Sequence, residues 1–367
     1  MSNPSPLRIL HLTAASEAGG LSRYLLDLSQ RMHELGHTIL IAGARGSWHE
    51  RFAALPAQWI DLPMHGGPLA LRRAARRLHE RLGGQGVDVI HTHYRRPTLT
   101  ARALQKHRPA PILYTLHLSH IPLRGPQRWF TDFGDHTHAP SQGARQWLLE
   151  TANIPSQRIT VIPHGIDVGQ YPLRDPAAKI AARQALNIPP DAMVAAFVGR
   201  LDYPKNADWM LDVADSAPRA TILLVGAGPD EPRLRRLLSR RKLAERVLLL
   251  GERGALPIYQ ASDALLLPSL REGFGLVCAE AMCVGVPVLR TRTSGTEELI
   301  LEGVTGRSVE IDRAAFMSAA AEFLADRSAL EKMGFAAAEH VRRHFTLDRQ
   351  VAETIALYRR LQETIST

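Results

Sequence analysis

The chain has 367 residues, 45% of them hydrophobic and 22% charged, which is the balance of an ordinary globular protein but too long for one typical core. Its formal net charge of +9 implies an anionic partner: nucleic acid, a membrane surface or a phosphate-bearing substrate. Zinc-finger spacing, an RNP-like strand and helix-turn-helix context are all missing, which argues against nucleic acid; no 20–50-residue repeat and no apolar run near ~18 residues is found, which argues against a solenoid and a membrane span. Residues 7–13 read as a first strand, with no charged-then-apolar leader before it. Gly19-Gly20 opens a helix over 21–35, and Gly36-His37 closes it. Strands are predicted over 38–42, 87–92, 111–116 and 159–162, and residues 163–172 read as an interdomain linker.

A second run of strands follows over 193–199, 221–226, 247–251, 264–267 and 286–289. Continuous apolar strands bounded by glycine, with helices between, imply parallel sheets buried on both faces. The expected class is therefore α/β, with two doubly wound domains facing a central cleft. Residues 314–324, 330–344 and 348–361 read as terminal helices. Two further stretches, 69–82 and 233–242, are basic amphipathic helices whose arginines are expected to form solvated faces. Cys278 and Cys283 point to different faces of one helix and are expected to be free core thiols, which fits a reducing cytoplasm.

The most informative stretch follows strand 264–267: Arg271-Glu272-Gly273-Phe274-Gly275-Leu276-Val277-Cys278-Ala279-Glu280. Glu272 is expected on the loop at the carboxyl end of a parallel strand, where ligands of open α/β sheets bind. Glu280 falls about a turn and a half into the following helix. The backbone N–H groups of Gly273, Phe274 and Gly275 would face an anion or sugar hydroxyls at that helix start. This pair of glutamates, eight residues apart with Gly-Phe-Gly inside, resembles the retaining nucleotide-sugar glycosyltransferases of family 4. The resemblance implies the GT-B architecture, two Rossmann-like domains facing a central cleft. It places an acceptor domain at 1–172, a donor domain at 173–345 and a helix at 346–367 that packs back on the first domain. Phe345-Thr346-Leu347-Asp348 and Leu357-Tyr358 match the family's C-terminal signature.

The resemblance also implies roles. Glu272 would hydrogen-bond donor-sugar hydroxyls and Glu280 the ribose diol, since a carboxylate accepts two O–H bonds and charge-assisted bonds are the stronger kind. Leu276 would line the donor with the three residues before it. Arg200 and Lys205, in the loop after strand 193–199, would neutralise the departing diphosphate, the guanidinium as a fork and the lysine as a point charge. Asn206 stands where the family has glycine, a mild departure because asparagine tolerates a left-handed backbone. Gly19 and Gly20 would let the diphosphate approach backbone amides; Arg23 is a weaker candidate for acceptor or phosphate. His117 matches the family's active-site histidine, although Leu118-Ser119-His120 replaces the usual following residues. The other histidines, His91 and His93 included, are expected to be mostly incidental. In the segment Ser294-Gly295-Thr296-Glu297-Glu298, Gly295 and Glu298 match the family, whereas Ser294 and Glu297 depart. Arg253 would lie beside the nucleotide base.

No His/Cys/Asp grouping has metal spacing, and no Asp-x-Asp occurs, so neither a metal nor another cofactor is expected. The implied activity is a retaining, metal-independent transfer of a hexose or N-acetylhexosamine from a nucleotide diphosphate sugar, with UDP favoured. The implied acceptor is a cell-surface glycan or lipid-linked oligosaccharide such as lipopolysaccharide. Its expected loop is 117–133, with Ile121, Leu123, Trp129 and Phe130. Helix 69–82 adds an anionic membrane surface as a further expected partner, since family members with lipid-linked acceptors often carry a basic helix there. A cytoplasmic chain, peripheral on the membrane, is thus expected. The alternative is a non-catalytic nucleotide-sugar-binding protein of the same fold; a pyridoxal-dependent GT-B phosphorylase would usually be a much longer chain.

Overall fold

The computed structural model describes residues 5–119, 121, 123, 125 and 131–366. His120, Trp129 and Phe130, part of the expected acceptor loop, lie outside the described residues. Two compact units are present, one formed by residues 1–164 and 347–367, the other by 165–346.

The first unit holds a parallel sheet of β1 (Arg8–Ala15), β2 (Thr38–Ala44), β3 (Gln58–Asp61), β4 (Val89–Thr92), β5 (Ile112–Thr115), β6 (His136–Ala139) and β7 (Ile159–Val161), in the order β3-β2-β1-β4-β5-β6-β7. The second unit repeats this winding with β8 (Met193–Val198), β9 (Ala220–Val225), β10 (Val247–Gly251), β11 (Ala264–Leu267), β12 (Val288–Thr291) and β13 (Gly306–Val309), in the order β10-β9-β8-β11-β12-β13. Strand direction is parallel throughout. The order of connection reverses between β1 and β4 in one sheet and between β8 and β11 in the other. Such switch points are where open α/β sheets bind ligands, outside the carboxyl ends of the strands.

The central strands are mostly apolar because helices cover both sheet faces. Ile9, Leu10 and Leu12 of β1, and Ala195, Ala196 and Phe197 of β8, are fully buried. Helix α1 (Gly20–Glu34) follows β1, and α2 (Pro68–Leu82) precedes β4. Helix α3 (Glu231–Arg241) follows β9, α4 (Leu276–Val284) follows β11, and α5 (Arg313–Phe323) and α6 (Arg327–His344) close the second unit. Asp312 and Asp326 begin the last two by accepting from the N–H of Ala315 at 2.8 Å and of Ala329 at 3.0 Å, each satisfying a helix-terminal donor.

The unit boundary falls at residues 164 and 165, earlier than the expected 172 and 173. The expected linker belongs to the second unit: Ile166 and Tyr171 are buried in its core. The Ile166 N–H donates to the Phe345 carbonyl at 2.8 Å, and Arg342 donates to the Tyr171 carbonyl at 2.7 Å. The last helix, α7 (Leu347–Ser366), returns to the first unit. Asp348 pairs with Arg31 at 2.6 Å, Tyr358 meets His91 at 2.6 Å, and Gln362 donates to Asp88 at 3.1 Å. Cys278 and Cys283 are both free and buried.

Candidate active site

In the second unit, two loops leave the switch point side by side, one after β8 and one after β11. The Leu270 N–H donates to the Pro204 carbonyl at 2.8 Å, and the Asn206 side-chain amide donates to the Pro268 carbonyl at 2.9 Å. Asn206 has φ of 51°, the left-handed conformation that lets asparagine stand where the family pattern has glycine. This stitching delivers Lys205 to Glu272, with Nζ donating to Oε1 at 2.6 Å. Beside it, Arg271 donates to the Tyr203 hydroxyl at 2.5 Å.

Glu272 is only 7% exposed. Burial alone would raise its pKa, but the charges of Lys205 and Arg290 and the Lys205 hydrogen bond hold it below the ordinary carboxylate value. The site therefore keeps a paired carboxylate in a place that water scarcely reaches. Arg290, fully buried at the end of β12, fixes the loop that carries Glu272. Its guanidinium donates to the Phe274 carbonyl at 3.0 Å, the Thr293 hydroxyl at 2.7 Å and the Ser294 carbonyl at 3.1 Å.

Two glycines make this close approach feasible. Gly275, with φ of +95°, would place a Cβ 2.9 Å from the Arg290 guanidinium; Gly295, with φ of +81°, would place one 2.3 Å from the Phe274 carbonyl oxygen. Gly273 and Phe274 lie in the same loop, and Leu276 opens α4, whose leading N–H groups have no carbonyl partner inside the helix. On α4, Glu280 is 7% exposed, and its Oε2 accepts from the Tyr259 hydroxyl at 2.8 Å. Thus Glu272, Lys205, Gly273, Phe274, Gly275, Leu276 and Glu280 share one loop-and-helix assembly.

Two expected cations lie differently. Arg200 is exposed and donates to Asp202 at 2.5 and 3.0 Å, not to the Glu272 loop. Arg253 folds back onto the carbonyl of Leu250 at 2.6 and 3.0 Å. Arg290 and Tyr259 were missed in the sequence. Arg290 had a signal, a lone charge ending an apolar strand; Tyr259, in a short helix, had none.

In the first unit, Gly19 precedes α1 with φ of +150°, and Gly20 is its first residue. Arg23 is turned to Asp27, with Nε donating at 2.9 Å. The histidines are not incidental: His91, His93, His117, His138 and His164 gather at or just past the carboxyl ends of β4, β5, β6 and β7, and His11 joins them from the middle of β1. One hydrogen-bonded row runs from Tyr358 Oη to His91 Nδ1 at 2.6 Å, His91 Nε2 to Thr115 Oγ1 at 2.6 Å, Thr115 Oγ1 to His138 Nδ1 at 2.9 Å, and His138 Nε2 to the Ile162 carbonyl at 2.6 Å. A second row joins His11 Nδ1 to His93 Nε2 at 3.1 Å and His93 Nδ1 to His117 Nε2 at 3.0 Å. Burial holds all of them in the neutral form, with the pKa of His11 and His117 lowered to about 3 and of His138 to about 4. His11, His91 and His93 bring ring nitrogens within 4.8 Å of one another, a spacing a metal could use. Both nitrogens of His91 are already engaged by Tyr358 and Thr115, so the group stands as a hydrogen-bond network.

The two basic helices also differ. On α3, Arg233 pairs with Asp208 at 3.2 Å, Arg235 with Glu231 at 2.7 Å and Arg241 with Asp212 at 2.8 Å. On α2, Arg72, Arg73, Arg76, Arg77 and Arg81 are exposed while Leu71, Ala74, Ala75, Leu78 and Leu82 are buried. Among the described residues the α2 arginines have one carboxylate contact, Arg76 to Glu80 at 4.0 Å. No helix of the described residues is long and apolar enough to cross a membrane.

Residues 178–340 match the family model described as glycosyl transferases group 1, and residues 18–170 match the one described as glycosyltransferase family 4. The chain belongs to the family 4 glycosyltransferases. This glycosyltransferase is similar to the D-inositol 3-phosphate glycosyltransferase of Kribbella flavida, at 26% identity over 95% of this chain and 92% of that one. It superposes on a glycosyltransferase from Rickettsia africae with a TM-score of 0.82 at 21% identity, over 98% of this chain and 99% of that one. It superposes on HepE from Anabaena, solved in complex with UDP and glucose, with a TM-score of 0.81 at 21% identity over 95% and 99% of the two chains. These likenesses establish the GT-B fold.

Proposed function

We propose that this glycosyltransferase is a retaining, metal-independent enzyme that moves a hexose or N-acetylhexosamine from a nucleotide diphosphate sugar, with UDP favoured. The acceptor is a hydroxyl of a cell-surface glycan or lipid-linked saccharide, lipopolysaccharide included. The observation that carries this reading is the pair of half-buried Lys205 and buried Glu272 at the switch point of the second sheet, beside Arg290 and the start of α4. In this arrangement Glu272 orients the sugar hydroxyls while Glu280, held by Tyr259, accepts from the ribose diol. Lys205 and the N–H groups that open α4 meet the diphosphate, supplying positive charge where negative charge grows on the leaving group.

In the proposed step, the acceptor oxygen forms a bond to the anomeric carbon on the face from which the phosphate oxygen departs. The acceptor proton passes to that departing oxygen, so no separate protein base is required. His117 serves as a donor to a substrate oxygen in the first unit. The exposed arginines of α2 rest on anionic headgroups at the cytoplasmic face of a membrane.

A thermal-shift panel of UDP, GDP, ADP and their sugar conjugates, with and without EDTA, tests the reading. A nucleotide at 100 times its dissociation constant stabilises the fold by ~2.7 kcal/mol, a readable shift. One nucleotide standing out, unaffected by EDTA and weakened by Glu280→Ala, is the expected result. A shift that requires added divalent metal, or none with any nucleotide, would sink it.

A further inference from the structure

Hydrogen bonds between neutral imidazoles have a direction, and the two histidine rows of the first unit differ in how that direction is set. The first row ends on the Ile162 carbonyl, which can only accept. His138 therefore carries its proton on Nε2, and its Nδ1 accepts from the Thr115 hydroxyl. Thr115 in turn accepts from His91 Nε2–H, and His91 Nδ1 accepts from the Tyr358 hydroxyl. Every proton in that row is assigned, and both ends are closed by protein.

The second row, His11 to His93 to His117, is set at its inner end. His11 is fully buried, and its Nε2 has no hydrogen-bond partner. Were the row to run inward from His117, that Nε2 would hold a buried N–H with nothing to receive it. A buried orphan N–H is rarer in proteins than an under-used acceptor. The row therefore runs outward: His11 Nδ1–H donates to His93 Nε2, and His93 Nδ1–H donates to His117 Nε2. His117 is the one partly exposed member of this row, and among the described residues no hydrogen bond to its Nδ1 is present.

We propose that His11 and His93 are positioning residues that fix the proton of His117 on Nδ1, so that His117 meets its substrate as a hydrogen-bond donor. This rests on the reading of His117 as a substrate-facing residue. The buried pair also prevents the ring from turning over, since a flipped imidazole would lose the bond from His93. An acceptor tautomer at this position would turn a lone pair toward a phosphate or glycosidic oxygen, which has no proton to donate, and repel it.

Heteronuclear NMR of the histidine-labelled full chain reads which ring nitrogen of His117 bears the proton. Two variants of nearly equal size separate tautomer control from simple packing. In His93→Asn the side-chain amide sits where Nδ1–H was and still donates to His117. In His93→Gln the amide sits where Nε2 was, so the His117 bond is lost. The expected result is an Nδ1–H signature in the wild type and in His93→Asn, shifting toward Nε2–H in His93→Gln. Transfer should fall about 10²-fold in His93→Gln, the scale of losing one aligned donor, and largely recover in His93→Asn. An Nε2–H signature in the wild type, or equal behaviour of the two variants, overturns the proposal. Wild-type turnover in His117→Ala would instead remove the substrate-facing role, while the NMR result still decides the direction of the row.

Discussion

The two sheets share one winding but solve the same problem in opposite ways. Each must keep polar groups at a switch point where strands are buried on both faces. The first sheet uses neutral imidazoles hydrogen-bonded in rows, with Thr115 between two of the rings and Tyr358 at one end. The second uses full charges, with Glu272 set against Lys205 and Arg290. Buried polar groups are tolerated when hydrogen-bonded, and buried charges when paired. One winding therefore accommodates either solution, and the residues at the strand ends decide which.

Breaking the charged solution carries the largest expected effect. Glu272→Ala should lower transfer by about 10³-fold or more while a nucleotide diphosphate still binds, measured by steady-state assay and by calorimetry. Near-wild-type turnover in that variant would refute the role of the pair.

Acidification should separate the two units. For His11 and His138, the folded pKa values of about 3 and about 4 lie below the unfolded value of 6.5. Below pH 6.5 the unfolded chain takes up protons that the folded chain refuses, so stability falls with pH down to those folded values. The cost is a little over ~1 kcal/mol per histidine per pH unit. Glu272, and Asp263 of the second unit, which pairs with Lys179 at 2.6 Å and Arg183 at 2.8 Å, have lowered pKa values, so their contribution is present above the ordinary carboxylate range and is lost only as pH falls below it. Hydrogen exchange read by mass spectrometry at pH 7 and pH 5 should show the first unit losing protection while the second keeps it. Equal loss in both units would contradict the contrast.

A smaller break is Thr115→Val. It removes the hydroxyl between His91 and His138, leaving one buried donor and one buried acceptor unsatisfied. The expected cost is ~1–3 kcal/mol in denaturant unfolding, with nucleotide binding unchanged. A break that leaves fold and chemistry untouched concerns the two basic helices. Replacing Arg72, Arg73, Arg76 and Arg77 with Gln should release the protein from anionic vesicles at low salt, by about 1 kcal/mol per residue. The same change at Arg233, Arg235 and Arg241, already neutralised by Asp208, Glu231, Asp212 and Asp215, should leave sedimentation unaltered.

What was legible in the sequence follows from how each feature is encoded. Long apolar strands such as β8 and β9 were readable within a residue or two, because burial on both faces leaves an unbroken run. β3, β6 and β13 were not read: Gln58–Asp61, His136–Ala139 and Gly306–Val309 are short and polar, and pairing with neighbours makes them strands. The Glu272–Glu280 stretch was legible because its parts lie within one loop and one helix. The histidine network was not, since His11, His93, His117 and His138 are far apart in sequence and meet only through strand order. For the same reason Arg200 and Lys205 looked equivalent, and only the stitching of Asn206 to Pro268 sends one of them to Glu272.

The return of α7 to the first unit bears on how the chain is made. The second unit, residues 165–346, is continuous in sequence and is translated whole before α7 begins. The first unit must wait: Tyr358, which donates to His91, and the buried Val351 and Leu357 follow the whole of the second unit in sequence. Domains usually finish in order from the amino end during synthesis. Here that order is inverted. Of the two units the one begun first closes second, and the row that starts at Tyr358 is completed only when α7 has docked.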